Sequence, residues 1–247
     1  MPSFASEVIF FVGSFPVTNT FINTIFVDLV LVSLIVLIHK KKISLIPGRL
    51  QNVAELIIGG FYNLTESIAG DRTSKIFPFF MTFFLFIVIA NWSGLIPGFT
   101  TVGIVQDENH LIPIIRSTTT DLNTTLALAL ISVAATHIMS IRALGLKAYI
   151  GRFISLSPIL LFVGALEIIS EITKVISLSF RLFGNIYAGE VVLETVSNIF
   201  AFIFPLPFLL LEVIVGAVQG LVFAMLTMAF MVILTTPHHE EAKEVSL

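Results

Sequence analysis

Residues 158–199 read PILLFVGALEIISEITKVISLSFRLFGNIYAGEVVLETVSNI, and the fold turns on how they are read. The stretch is apolar throughout, yet it carries Glu167, Glu171, Lys174, Arg181, Glu190 and Glu194. Ser157-Pro158 is a good helix start, with Ser as N-cap and Pro at the first helical position. As one helix it is about 60 Å long at 1.5 Å per residue, roughly twice the thickness of membrane hydrocarbon, so it must tilt steeply or bend. Pro205 and Pro207 break the chain after it. Phe208–Leu234 is then a second long apolar segment with one charge, Glu212, and Pro237 ends it ahead of a polar tail, 238–247.

Working outward, Phe21–Ile38 has one charge (Asp28), and 76–96 and 122–141 have none. Each is close to the ~20 residues that cross a membrane as a helix. Residues 50–70 mix apolar and polar side chains and suit a helix lying at the interface. The whole chain of 247 residues is 56% apolar and 12% charged, with no cysteine. Its mean hydropathy is +1.02. Soluble domains carry roughly a quarter charged residues, so a water-soluble enzyme is excluded, as are disulfides and cysteine-bound metal. A net charge of −3 leaves no basic face for nucleic acid. The apolar excess also excludes disorder. Met1–Pro16 has Glu7 and no Lys or Arg, so it lacks the positive start of a signal peptide and is expected to be mature sequence.

The expected architecture is a single all-α membrane domain over 1–247. It is polytopic, with about five crossings (21–38, 76–96, 122–141, 158–199 and 208–234) and the interfacial helix 50–70. Placing the segment 39–75 in the cytoplasm puts ten of the thirteen Lys and Arg residues inside and leaves Arg116 alone outside. By the positive-inside rule the N-terminus is then outside and the C-terminus cytoplasmic.

Arg181 is the residue to explain. A guanidinium in mid-membrane costs ~3 kcal/mol on insertion scales and keeps its proton at any accessible pH. Snorkelling is disfavoured by about twenty largely apolar residues on either side; a structural ion pair within the bundle is the plain alternative. At 100° per residue, Glu167, Ser170, Lys174, Ser177, Arg181 and Asn185 form one polar stripe. Glu190 is nine positions past Arg181, on the opposite face, with Glu194 one turn further. Glu212 and Gln219, seven apart, share a face of the last helix. A lone Glu or Gln can be a neutral helix contact. Two polar tracks on different faces, beside one permanent cation, resemble two water-filled half-channels kept apart. Gly184 with Ala188, and Gly216 with Gly220, are small-xxx-small pairs that admit a close helix, within this chain or from another.

The motif Ser179-Phe180-Arg181-Leu182-Phe183-Gly184-Asn185 followed by Ala188-Gly189-Glu190 resembles the signature of subunit a of the F-type ATP synthase membrane sector. So does Gln219-Gly220-Leu221-Val222-Phe223, through Leu226 and Thr227. Further matches are Pro47-Gly48-Arg49-Leu50-Gln51 with Glu55, Asn91-Trp92-Ser93-Gly94, and Thr120-Asp121-Leu122-Asn123-Thr124-Thr125. The resemblance covers roughly residues 21–236.

The resemblance implies that the last two helices form a long tilted hairpin against a rotating ring of c subunits. Arg181 would face the ring's ion-carrying carboxylate. Asn185, Glu190, Glu212 and Gln219 would belong to the outward half-channel. Glu167 and Lys174 would lie toward the inner side, with Ser177, Glu171 and Glu194 supporting. Some relatives carry His where this chain has Glu212. The two acids Glu190 and Glu212 can share a proton here, and which of them relays stays open. The implied partners are the c-ring, b-type peripheral stalk subunits, other ATP synthase subunits and the bilayer. No cofactor or metal and no catalytic residue is expected. The translocated ion is H⁺, with Na⁺ left open. The expected membrane is the bacterial plasma (inner) membrane, with an organellar energy-transducing membrane as the alternative.

Two other classes compete. A secondary ion-coupled transporter would show internal repeats and interrupted spans, and neither is evident. A purely structural anchor leaves the Arg181 stripe unexplained. His137, His238 and His239 have no neighbouring cluster of ligands, so packing and a solvated tail are favoured over metal binding.

Overall fold

Helices carry nearly all of the chain in the computed structural model, which describes residues 6–40, 48–96, 103–107, 110–153, 158–199 and 204–236. The Ser157 cap, Pro47 and the tail 238–247 lie outside the described residues. In order the helices are α1 (Asn19–Lys40), α2 (Arg49–Ala69), α3 (Thr73–Ser93), α4 (Leu122–Leu144), α5 (Leu146–Phe153), α6 (Pro158–Ile199) and α7 (Pro205–Thr235). Two antiparallel hairpins join them, β1 (Val8–Val12) with β2 (Phe15–Thr18) and β3 (Gly103–Asp107) with β4 (His110–Pro113). The sequence reading did not assign either hairpin. The first turns at Gly13, whose φ of 64° lies in the region that favours glycine.

Local chemistry sets the helix ends. Thr18 Oγ1 accepts the Phe21 amide at the start of α1, and the Asp121 carboxylate accepts the Asn123 amide at the start of α4. Gly70, at φ 54°, closes α2 and donates its N–H to the Glu66 carbonyl. Pro205 and Pro207 sit inside the first turn of α7 rather than ahead of it. A missing N–H there leaves no intrahelical bond unmade.

Four stretches are long and apolar enough to cross a membrane: Asn19–Ile38, Gln51–Ser93 (α2 with α3), Leu122–Leu144 and Pro205–Thr235. At 42 residues α6 is the longest single helix among the described residues, and it carries six charged side chains. The protein is an all-α polytopic membrane protein.

The core lies where α3, α4, α6 and α7 meet. Ile76, Phe80 and Ile87 of α3 pack with Phe223, Met228 and Met231 of α7, and Leu178 and Leu182 of α6 close it. Gly216 and Gly220 let α7 approach α3: a side chain at Gly220 would collide with Val88, and one at Gly216 would press on Asn91. These two glycines therefore serve packing within the chain. Gly184 meets nothing within 4 Å. Asn91 Nδ2 donates to the Gly216 carbonyl and Trp92 Nε1 to the Val213 carbonyl, each at 2.9 Å. Paired hydroxyls lock α4 in place. Ser132 meets Thr227 at 2.7 Å, Thr125 meets Ser179 at 3.1 Å, and Ser140 donates to the Leu234 carbonyl at 2.6 Å. Such bonds supply the directional part of helix association in lipid, where apolar burial drives nothing.

Candidate functional site

Three groups of polar side chains are strung along α6. In the middle, Arg181 is exposed on the outer face of the helix. Its described partner is the hydroxyl of Ser177, one turn earlier, at 3.3 Å. Among the described residues it pairs with no carboxylate of its own chain. It borders an open groove of about 420 Å³ between α6 and α7, whose walls include Ser170, Thr173, Lys174, Ser177 and Phe230. Ser170, Lys174, Ser177 and Arg181 of the sequence stripe thus share a groove large enough to hold water, with apolar side chains beside them, whereas Glu167 and Asn185 do not line it.

Toward the start of α6, Lys174 Nζ donates to Glu171 Oε1 at 2.7 Å and lies 4.7 Å from the centre of the Phe230 ring. Glu171 Oε2 is 3.5 Å from His137 Nε2 of α4. His137 Nδ1 is hydrogen-bonded to the Tyr149 hydroxyl of α5 at 3.0 Å. Tyr149, His137, Glu171 and Lys174 therefore form one line of polar contacts that ends at the groove, the His137–Glu171 approach being the longest of them. Glu167, half-buried one turn before Glu171, is on the same side of Arg181.

Past Arg181, the Glu190 carboxylate is held by Arg116. The Arg116 Nε and Nη2 atoms donate to Glu190 Oε1 and Oε2 at 3.1 and 3.0 Å. Glu212 of α7 is 7% exposed, and its Oε1 stands 2.9 Å from where a side chain at Gly189 would be. The two acids are therefore within electrostatic reach of one another. Asn185 is exposed on the Arg181 face and Gln219 is half-buried on α7. No described bond joins either of them to Arg181. Glu194 is half-buried one turn beyond Glu190.

At 1.5 Å per residue Lys174 is about 10 Å from Arg181 along α6 and Glu190 about 13 Å the other way. Sequence reasoning found both tracks and the cation between them. It missed Arg116, which it used only in a charge count, and the Tyr149–His137 link. A cue for the first was present, since acids expected in a membrane call for a cation on the same side.

The model of the family described as ATP synthase A chain matches residues 21–232. The chain belongs to that family. It is 35% identical over 222 residues to ATP synthase subunit a of Moorella thermoacetica, covering 90% of this chain and 93% of that protein. To the subunits a of Geotalea daltonii and Geobacter sulfurreducens it is 34% and 35% identical, over 81% and 82% of its length and 80% and 82% of theirs. Family membership and the apolar helices make it a multi-pass membrane component of an ATP synthase, engaged in proton transport and ATP synthesis. The family match takes in Arg181, Glu190, Glu212 and Gln219, with Arg116 as well.

Proposed function

We propose that this chain is the stator proton channel of the rotary motor. Two offset half-channels deliver protons to, and collect them from, the carboxylates of a c-ring turning past α6 and α7. Arg181 is the electrostatic gate between them. One observation carries the reading: Arg181 stands exposed beside an open groove, between two acid-bearing clusters, with no described carboxylate of its own chain to neutralise it. A permanent cation so placed calls for an anion from another chain.

The mechanism follows from the charges. A protonated rotor carboxylate is neutral and can face lipid, whereas an ionised one is confined near water or a cation. Arg181 attracts the ionised form. It cannot give up its own proton, so it blocks leakage between the half-channels. Protons arriving from the Glu190–Glu212 side neutralise a rotor carboxylate, which leaves into lipid. After nearly a full turn it discharges along the groove toward Lys174, Glu171 and Glu167. Each charge crossing the potential supplies ~2.3 kcal/mol per 100 mV, which drives rotation. In this reading α2 is interfacial, five helices cross, the N-terminus is outside and the C-terminus cytoplasmic. The b-type stalk subunits hold the chain against the ring in a bacterial plasma membrane.

Arg181→Lys tests the gate. Lysine can lose its proton when buried, so charge alone does not preserve the role. The variant complex should assemble, by immunoblot of the membranes, and lose ATP-driven proton pumping in inverted vesicles. Pumping at the normal rate would refute the gate.

A further inference from the structure

We propose that Arg116 is a positioning residue of the outer relay: it holds Glu190 as a fixed counter-ion and so makes Glu212 the carboxyl that takes up and passes on the proton. The inference rests on the proton-channel reading above and deepens it.

Arg116 is built into its place. It precedes a single 3-10 turn, Thr118–Thr120, that is nailed to two helices. Ser117 Oγ donates to the Ala90 carbonyl of α3 at 3.2 Å, and the Thr119 hydroxyl donates to the Asn91 side-chain oxygen. Asn23 of α1 donates to Thr118 Oγ1 at 3.1 Å. Gly94 leaves room for this turn, because a Cβ there would stand 2.6 Å from that of Ser117. From this mount the guanidinium, on a residue 6% exposed, reaches both oxygens of Glu190.

That geometry engages both oxygens of Glu190 with N–H donors. Protonating Glu190 would replace an acceptor oxygen with a hydroxyl facing an N–H donor. Neither oxygen of Glu190 is therefore left open for a proton in transit. Glu212 is in the opposite position. It is buried, its Oε2 has no hydrogen-bond partner among the described residues, and no described cation bonds it. It is the single Asp, Glu, Lys or Arg of α7. Across from it α6 brings Gly189 and Glu190, the latter tied to Arg116, and the end of α3 packed one turn further along α7 presents the uncharged Asn91 and Trp92. A carboxyl so enclosed is the one with cause to bind a proton, and its open oxygen is free to hand it on.

Four variants, in the whole complex, separate the roles by ATP-driven pumping in inverted vesicles, normalised to the chain present by immunoblot. Arg116→Gln takes away the donor that holds Glu190, and Glu190→Gln takes away the charge that Arg116 holds; each should lower pumping about tenfold or more. The double variant R116Q/E190Q removes the pair as a unit and should recover to within about threefold of wild type, the signature of a coupled charge pair. Glu212→Gln should fall to background, alone and in the double background. If R116Q does not assemble, Arg116→Lys, which keeps the charge with fewer bonds, should pump clearly above E190Q. A double variant no better than E190Q alone overturns the proposal, and so does an E212Q complex that still pumps. Normal pumping by Arg181→Lys instead removes the channel reading itself, whatever the Arg116 set does.

Discussion

Gly220 offers a direct test of how tightly α7 must lie on α3. A methyl added there falls 2.7 Å from Val88 Cγ2 and 3.3 Å from the Phe84 carbonyl oxygen. Val88 is buried and β-branched, so its methyl has one comfortable rotamer and no space to swing into. The backbone oxygen cannot yield without moving α3. Overpacking of this kind costs about 1–3 kcal/mol. Against it, Gly→Ala in a helix interior recovers roughly 0.8–1 kcal/mol of propensity. Gly60→Ala, on an exposed face of α2 with nothing within 4 Å, is the control that collects the propensity alone. The two variants should therefore differ by about the overpacking cost, a separation of roughly 2–12 °C for a chain of this size. The assay heats the detergent-solubilised complex and measures the chain remaining soluble by immunoblot. G220A melting at or above G60A would show that the α3–α7 approach is looser than described, and that Gly220 is not there for packing.

Three further outcomes follow. Glu171→Gln removes the carboxylate joining His137 to Lys174, so it should slow pumping severalfold while leaving the chain assembled; an unchanged rate would take this cluster out of the proton path. Asp121→Ala deletes the cap of α4 and should cost about 0.5–2 kcal/mol, visible as a lowered midpoint in the same heating assay. Asn91→Leu leaves the Gly216 carbonyl and the Thr119 hydroxyl without their partner, a loss of about 1–3 kcal/mol. It should also weaken pumping, because the turn bearing Arg116 is tied to Asn91.

Apolar runs and proline and glycine punctuation made the helices legible, because both are local properties of the chain. The polar stripe through Arg181 was legible too, since helical periodicity alone puts Ser177 one turn from it. Contacts between distant segments were not. Arg116 and Glu190 are 74 positions apart, and no period links a loop cation to a helix acid. His137, Tyr149 and Glu171 come from three helices, so each looks solitary in the sequence. The β1–β2 hairpin left a faint sign, Gly13-Ser14 between two apolar runs, of the kind that marks a tight turn. The glycines of α7 were visible as a pair, but their partner helix was not.

In the proposed reading the gate lies on the face of α6 that turns away from the bundle. Between the Lys174 cluster and Glu190, the buried side chains are Leu178, Ser179, Leu182, Phe183 and Ile186. The one hydroxyl among them is engaged with Thr125. The α6 wall between the two clusters therefore offers the bundle no uncommitted polar side chain among the described residues. The remaining route lies over the exposed face, past Arg181. A cation that never releases its proton closes that route to a free proton, yet it favours an anion passing in front of it. In the proposed reading, an inner face of committed and apolar side chains and a charged outer face thus make a poor channel for a proton alone and a workable one for a proton carried on a moving acid.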